Sequence, residues 1–319
     1  MTSDVFVSIV VCTRNRHEDL ARCLKALSKI DYVRREILVI DNSTNPSTVA
    51  LNAKSSAAIS ARYFYEPRRG LSVARNRGIT ETKGQLIAFT DDDCVPDNQW
   101  LKKALKNFND LDVACCTGRT VSFMSDSLSA TFEKYYGFDR GSTRQTFQQE
   151  GTKLNLGFLV KALPYARQRR ITQVAPPPFS VGLGNNMIFK REVFNAVGYF
   201  DERLGAGTPT EAGDETDIFY RILKAGKKIV YEPEAIVFHK HRQTYAGLVK
   251  AVYVCGLGVS AFLRKHVNFG DIQAAVFYIG RLVNLMFAVN SYKRKREKEI
   301  AYLTFVELKG WIRGFLEYW

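Results

Sequence analysis

The sequence predicts an α/β fold with a mostly parallel sheet flanked by helices. Short β-branched or apolar runs alternate with segments whose apolar residues recur at helical spacing, which is the pattern of βαβ units. In the most informative stretch, the apolar run 86–89 leads into three consecutive carboxylates and then Pro96. A short apolar run bounded by a breaker is typical of a buried strand. We therefore expect these carboxylates at the sheet edge where open α/β folds bind ligands.

Composition is that of a globular protein with an unusual charge. The 319 residues are 46% hydrophobic and 24% charged, and the formal net charge is +14. This balance predicts a polyanionic partner, such as the phosphates of a ligand, nucleic acid or an anionic membrane surface. The six cysteines form no CxxC pair and no signal-peptide pattern is present, so we expect a reduced, cytoplasmic protein. No run of about 18 uncharged apolar residues occurs, so no membrane-spanning helix is expected.

The first part of the chain alternates between the two kinds of element. We predict strands at 5–11, 36–40, 61–65, 86–90 and 113–117, and helices at 20–27, 47–58, 97–108 and from Ser72. The loop that precedes Ser72 is rich in arginine, whose planar guanidinium suits phosphate oxygens. The stretch 119–180 has weak periodicity, and we interpret it as an insertion that lines a site or covers it.

The second part contains a glycine-rich loop and then helices. A helix is expected to start at the acidic residues 214–217, and short strands are expected at 229–231 and 235–238. From residue 243 onward, amphipathic helices at 248–263 and 272–289 precede the basic run 293–296. We therefore divide the chain into a domain at 1–242 and a helical region at 243–319. The helices suit either an anionic membrane surface or packing against the main domain or a second subunit.

Two acidic clusters and a histidine carry the candidate chemistry. Asp91, Asp92 and Asp93 could hold Mg²⁺ or Mn²⁺ through oxygen ligands, and a nitrogen ligand from His239 would favour manganese. Asp214 and Glu215 would stay ionised at a helix N-terminus and could take a proton from a hydroxyl. The competing interpretations are a solvated acidic turn, ordinary acids of a helix start and a structural histidine.

Five motifs in a fixed order resemble one known family. The matching segments are 7–16, 39–43, 69–76, 89–93 and 213–217. Together they resemble an inverting family 2 glycosyltransferase with the GT-A fold, over about residues 5–242. One such motif would be weak evidence, whereas all five in order are strong.

The resemblance implies roles for residues around a nucleotide. It places three residues in the nucleotide pocket, namely Thr13, Arg14 and Arg16. It implies that Asp41 holds the base and that Arg69 and Asn76 border the nucleotide.

The resemblance also implies a metal site and a base. The triplet 91–93 matches the DXD motif of the family, with Asp93 as the metal ligand beside Asp91. His239 matches a late histidine that binds metal in some members, and His241 is the less favoured candidate. The order of Asp214 and Glu215 is inverted relative to the family pattern, so either could be the base.

The implied reaction is a single displacement that inverts the anomeric carbon of a sugar. The donor would be a nucleotide-diphosphate sugar and the acceptor a glycan, a lipid-linked molecule or a small molecule, as in polysaccharide or glycan synthesis. Peripheral binding at the cytoplasmic face of a membrane and a homodimer stay open. We also weighed a sugar nucleotidyltransferase, although 13–16 lacks the expected glycine, and a non-enzymatic basic nucleic-acid binder. Neither explains both acidic clusters, so no nucleic-acid partner is expected.

Overall fold

One sheet lies at the centre of the computed structural model, which describes residues 4–123, 138–148, 181–241 and 244–318. Its strands are β1 (Val7–Thr13), β2 (Arg35–Asp41), β3 (Arg62–Tyr65), β4 (Leu86–Asp91), β5 (Cys94–Pro96), β6 (Val113–Ser122), β7 (Gln145–Phe147), β8 (Asn186–Lys190) and β9 (Lys228–His239). Their order is β3-β2-β1-β4-β8-β6-β9-β5, and β7 pairs with β9 outside this path.

Helices cover the sheet and form the C-terminal part of the described chain. They are α1 (His17–Leu27), α2 (Pro46–Ala57), α3 (Leu71–Glu81), α4 (Trp100–Leu105), α5 (Val193–Val197), α6 (Asp214–Lys224), α7 (Tyr245–Asn268), α8 (Ile272–Arg294) and α9 (Lys298–Glu317). A 3₁₀ turn, Lys106–Asn109, extends α4, so the helix expected at 97–108 is shorter and irregular at its end.

The sheet has a parallel half and a mixed half. Strands β3, β2, β1 and β4 are all parallel, as expected for βαβ units. β8 lies antiparallel between β4 and β6, whereas β6 and β9 are parallel. The predicted α/β class is confirmed.

Both faces of the parallel half are buried. Because side chains alternate along a strand, Ile9 and Val11 of β1 pack with α1 and α4, while Val10 packs with α3 and α6 on the other face. Trp100 of α4 belongs to the first of these cores and is fully buried. Trp100 therefore presents no surface to a ligand, and its indole N–H donates to Asn186 Oδ1 at 2.8 Å inside the core.

The two strands expected at 229–231 and 235–238 are one continuous strand, β9. Its pairing with β6 jumps from Gly118↔Glu232 to Arg119↔Ile236, so a bulge accommodates Pro233. Proline has no N–H to give to a ladder, which is why it lies at such an irregularity. The far end of β9 pairs with β5 and sets Cys94 opposite His239.

The predicted insertion 119–180 is described only in part. Residues 124–137 and 149–180 lie outside the described residues, as does Arg242. Within the described segments, β6 extends as far as Ser122 and β7 adds an edge strand to β9.

The C-terminal region contains a third helix, α9, beyond the pair that the sequence predicted. Glycines let α7 and α9 approach closely, because a Cβ added to Gly310 would lie 2.1 Å from the carbonyl oxygen of Tyr253. On its other side, α7 touches the loop before α6: a Cβ on Gly258 would lie 2.4 Å from the carbonyl carbon of Ala212. The helical region therefore packs directly behind the start of α6.

Two of these helices pass a length and composition test for membrane spans, against the expectation from the sequence. They are α7 and α8, and the apolar window of α7 is mostly buried inside the protein. Buried core helices of proteins without membrane spans can be equally long and apolar.

Candidate active site

The carboxyl ends of β1 and β4 bring the first polar residues of the site together. The parallel register sets Cys12 beside Asp91, so Thr13 lies next to Asp92. The hydroxyl of Thr13 donates to Asp92 Oδ2 at 2.8 Å. The triplet 91–93 therefore lies at the end of β4, as predicted. Asp92 and Asp93 are buried, so the alternative of a solvated acidic turn is wrong.

Arg16 partly neutralises the triplet. Its guanidinium donates to Asp92 Oδ1 at 3.2 Å and to Asp93 Oδ2 at 2.8 Å. Burial nevertheless raises the pKa of Asp92 to about 7, with Arg16 acting in the opposite direction. The Arg16 side chain is 42% exposed, so this cation sits at the mouth of the site.

The β5–β9 ladder brings His239 to the triplet. His239 Nε2 lies 3.6 Å from Asp93 Oδ1, and the peptide N–H of Lys240 donates to the Asp93 carbonyl oxygen at 3.1 Å. The other ring nitrogen of His239 faces His241 Nδ1 at 2.8 Å, so one of the two imidazoles carries the shared proton.

The donor set fits part of a divalent metal site. A carboxylate and an imidazole are suitable ligands for Mn²⁺, and Asp93 and His239 already lie side by side. Among the residues that the structure describes, no group of three or more His, Cys, Asp or Glu is arranged as a complete site. Asp91, the other predicted ligand, instead lies near the Arg75 guanidinium, at 3.4 Å.

Arg75 links the two acidic clusters. It projects from α3 and is almost fully buried, with one guanidinium nitrogen paired with Asp214 and the other 3.4 Å from Asp91. The second nitrogen also donates to the carbonyl oxygen of Gly184 at 3.2 Å. The strand-end and helix-start carboxylates therefore share one crevice.

Two glycines make room for this pairing. A Cβ on Gly205, whose φ of +96° also disfavours other residues, would lie 2.9 Å from Asp214 Cγ. A Cβ on Gly184 would lie 2.9 Å from the Arg75 guanidinium and 3.4 Å from Glu215 Cβ. The glycine-rich loop before α6 therefore serves close packing around Asp214.

Asp214 and Glu215 differ in their surroundings. Asp214 is buried against Arg75, whereas Glu215 is only half-buried. Reduced access to water and the adjacent Asp214 carboxylate raise the pKa of Glu215 to about 8. The Glu215 carboxylate is therefore more basic than an ordinary one, and Asp214 is the partner of a buried cation.

The helix that carries this pair is held from behind by α7. Asp217, one turn along α6, is fully buried and accepts hydrogen bonds from Lys265 Nζ and His266 Nε2, both at 2.9 Å. Burial works against ionisation, but these donors and Arg221 hold the pKa of Asp217 below its ordinary value. The C-terminal helices thus fix the orientation of the helix start.

Asp41 lies at the end of β2 but is fully buried. Its carboxylate accepts from the Ser43 N–H at 2.8 Å, from Asn52 Nδ2 at 2.8 Å and from the Tyr63 hydroxyl at 2.7 Å. In this structure Asp41 shapes the loop after β2 and presents no surface to a base.

Asn76 faces away from the acidic crevice. It exchanges two hydrogen bonds with the backbone of Phe200, each 2.9 Å long. Since neighbouring residues on a helix point about 100° apart, Arg75 is the one that faces the crevice. Sequence reasoning quoted Arg75 within a motif but gave it no role.

The remaining predicted nucleotide residues are cationic and accessible. Arg14 is half-buried, and its Nε is a buried donor without a hydrogen-bond partner in the described part of the chain. Arg69 is exposed beside Gly70 and Gly207. The exposed Arg69 is therefore directly open to an anionic ligand, whereas Arg14 offers a donor that no protein group within the described residues satisfies.

Comparison with known families decides the assignment. Residues 8–198 match the model of the family described as glycosyl transferase family 2. This chain belongs to glycosyl transferase family 2. Neither a nucleotidyltransferase nor a nucleic-acid binder is supported by the matches.

Curated relatives of this family 2 chain are themselves glycosyltransferases by name. It is 28% identical over 201 residues to the glycosyltransferase AglE of Haloferax volcanii, covering 61% of this chain and 64% of the relative. It is 24% identical over 303 residues to a pre-mycofactocin glycosyltransferase of Mycobacterium tuberculosis, covering 90% of this chain and 57% of the relative. The chain therefore spans about three fifths of the length of these relatives.

Solved structures share the fold of this family 2 chain. The mannosyltransferase PcManGT of Pyrobaculum calidifontis, solved with GDP-Man and Mn²⁺, has a TM-score of 0.65 at 16% identity and covers 97% of this chain and 87% of its own. GalNAc-T7 with UDP, GalNAc and Mn²⁺ has a TM-score of 0.52 at 18% identity and covers 79% and 48%. These similarities confirm the GT-A architecture.

Proposed function

We propose that this chain transfers a sugar from a nucleotide-diphosphate sugar to an acceptor hydroxyl, with inversion at the anomeric carbon. The observation that carries the proposal is Arg75, which contacts both Asp91 and Asp214. One crevice therefore holds carboxylates of two kinds, which a metal-assisted displacement with a separate base requires.

The donor would bind along the ends of β1 and β4. Thr13, Arg14 and Arg16 lie at this edge, and the unpartnered Nε of Arg14 is a donor suited to a phosphate oxygen. Arg69 adds an exposed cation near the same edge.

Asp41 and Asn76 would act on the nucleotide pocket indirectly. Asp41 shapes the loop after β2 through its internal hydrogen bonds, and base binding by its carboxylate would need that loop to open. Asn76 fixes the backbone at Phe200.

A divalent ion, Mn²⁺ or Mg²⁺, would be held by Asp93, Asp91 and His239. Asp92 lies beside these ligands and accepts hydrogen bonds from Thr13 and Arg16. When bound, such an ion offsets the negative charge that develops on a departing nucleoside diphosphate. Similar folds solved with Mn²⁺ support this assignment. In the structure Arg16 offsets the negative charge of Asp92 and Asp93, and its exposed position allows it to move toward a phosphate instead.

Glu215 is the base that we assign, in preference to Asp214. A carboxylate whose pKa lies near 8 removes a hydroxyl proton more effectively than one of ordinary acidity. Asp214 is engaged with the buried Arg75, and protonating it would leave that guanidinium with only the more distant Asp91 carboxylate as a counter-ion. Asp214 would therefore hold the site together while Glu215 receives the proton.

We propose that the acceptor is a glycan, a lipid-linked molecule or a small molecule, in polysaccharide or glycan synthesis. We place the reaction in the cytoplasm, since the six cysteines are all free thiols in the structure.

The experiment is a thermal-shift screen of nucleotide sugars with and without Mn²⁺, because a ligand that binds only the folded state raises the melting temperature. We expect one nucleotide class to raise it further when Mn²⁺ is present. Asp93→Ala should lose the Mn²⁺-dependent part of the shift, and Asp112→Ala, an exposed carboxylate elsewhere, should keep it.

Donors that pass the screen are then offered to acceptors, and the anomeric configuration of the product is read by NMR. An inverted product supports the proposal. Release of pyrophosphate from a nucleoside triphosphate, or a product with retained configuration, would contradict it.

A further inference from the structure

The outer faces of α8 and α9 are apolar and exposed. On α8, Ile279, Met286 and Phe287 point to solvent, and on α9 Phe305, Ile312 and Leu316 do so. Met286 and Phe287 follow Ile279 by seven and eight residues, and Ile312 and Leu316 follow Phe305 by seven and eleven, so the members of each helix lie on one face. Contiguous exposed apolar faces of this kind mark interaction surfaces.

A dense group of cations lies where the two helices join. Lys293, Arg294, Lys295, Arg296 and Lys298 are all exposed. In the described part of the chain none of the five takes part in an ion pair, whereas many other Lys and Arg residues do. Their charge is therefore available to an anionic partner.

Ion pairs on α7 and α8 argue against either helix crossing a membrane. α7 is tied to the catalytic domain by the Lys265–Asp217 ion pair and by the close contact of Gly258 with Ala212. Near the middle of α8, Arg281 pairs with Glu307 of α9 at 2.5 Å. Spanning helices would carry these charges into hydrocarbon, where ionised groups are unfavourable.

We propose that the outer face of α8 and α9, together with the basic run 293–298, binds the surface of an anionic lipid bilayer. Apolar side chains would enter the boundary between headgroups and acyl chains, and the cations would face the headgroup phosphates. Charge complementarity selects this occupant over a second copy of the chain, because two copies would bring like-charged basic runs together.

The first test is flotation of the whole chain with vesicles. We expect binding to vesicles of phosphatidylcholine mixed with phosphatidylglycerol, weakening as salt is added, and little binding to phosphatidylcholine alone. Reversing Lys293, Arg294, Lys295 and Arg296 to Glu should lower the partition coefficient at least about a hundredfold.

A matched variant separates this local effect from net charge. Lys25, Lys29, Lys54 and Lys106 are exposed on the catalytic domain and form no ion pair within the described residues. Their replacement by Glu changes the net charge by the same amount, and binding should stay within about twofold of the parent if the contact is local. An equal loss in both variants would overturn the assignment of this surface.

A second pair of variants tests insertion of the apolar face. Met286→Ser with Phe287→Ser should weaken binding roughly tenfold, while Val33→Ser with Leu111→Ser, which removes exposed apolar groups elsewhere, should not. Absence of vesicle binding would overturn the proposal. A concentration-dependent dimer that the Met286→Ser, Phe287→Ser variant abolishes would instead identify the face as a protein-binding surface. These outcomes do not depend on sugar transfer, so they leave that proposal untouched.

Discussion

The two acidic clusters differ in the cation that neutralises each. Arg16, which serves the strand-end carboxylates Asp92 and Asp93, is 42% exposed. Arg75, which serves Asp214 at the helix start, is 3% exposed. An exposed guanidinium can leave with little change in its hydration, whereas a buried one cannot.

This difference separates an exchangeable site from a fixed one. In the proposed reaction, Arg16 leaves the strand-end carboxylates when they bind a divalent ion, and its guanidinium is then free to bind a phosphate. Asp214 stays paired with the buried Arg75 and remains ionised. Together with burial, its negative charge raises the pKa of the neighbouring Glu215. We therefore propose that the strand-end carboxylates bind the donor and that the carboxylates at the start of α6 act on the acceptor.

The largest expected effect comes from removing the proton acceptor. Glu215→Gln should lower turnover by about 10²–10⁴-fold, since general-base catalysis contributes that much, while donor affinity stays nearly unchanged. Turnover and donor affinity are measured separately by single-turnover kinetics and equilibrium binding. Glu211→Gln, an exposed glutamate of the preceding loop, is the control. Full activity of Glu215→Gln would assign the base to Asp214 or to another group.

Removing the fixed cation should damage the fold itself. Arg75→Met leaves Asp214 buried without its counter-ion, which costs about 3–5 kcal/mol in the free energy of unfolding. Arg34→Met breaks an exposed pair with Asp4 and should cost at most about 1 kcal/mol. Urea denaturation measures both. Equal losses would mean that the Arg75 contact is no more fixed than a surface pair.

The pH dependence of turnover tests the basicity of Glu215. Since its pKa is raised to about 8, the ionised fraction, and with it kcat/KM, should rise about tenfold per pH unit below that midpoint and then level off. Glu215→Gln should abolish the rise. A profile already flat from pH 5 would contradict the assignment.

The same shift affects stability with a defined sign. An unfolded glutamate ionises near 4.5, but the folded one keeps its proton to about 8. The stabilisation by the neutral form is therefore complete below 4.5 and is lost as the pH rises to about 8.

The smallest expected effect concerns the exchangeable cation. Arg16→Met should raise the affinity for Mn²⁺ alone roughly fivefold, because an exposed ion pair of about 1 kcal/mol no longer competes for Asp93. Arg22→Met removes an arginine of equal exposure on α1 and should change the affinity little. Titration calorimetry without nucleotide measures this. Lower affinity in Arg16→Met would show that Arg16 supports the metal site.

The sequence predicted the elements that carry the site but not every side chain in it. Apolar runs that end in polar residues located the edge at Asp91–Asp93, and the acids at 214–217 located the start of α6. The choice between Arg75 and Asn76 depends on how α3 is rotated against β8 and α6, which tertiary packing decides. The family resemblance assigned Asp41 to a nucleotide base, and the sequence does not show that Asn52 and Tyr63, 11 and 22 residues further along the chain, hydrogen-bond its carboxylate in the fold.

The C-terminal region shows the same limit. Hydrophobic periodicity predicted α7 and α8, but the position of α7 behind the candidate site rests on Gly258 and Lys265, whose partners lie on the loop before α6 and within α6. Hydrophobic periodicity predicts which face of a helix is apolar, but it does not predict which part of the protein packs against that face.

The most direct measurement is anomalous diffraction from crystals grown with Mn²⁺ and a nucleoside diphosphate. We predict manganese bound by Asp93, Asp91 and His239, with Arg16 moved off Asp93 and Arg75 still paired with Asp214. Manganese held by Asp214 and Glu215, with Arg16 still on Asp93, would contradict it.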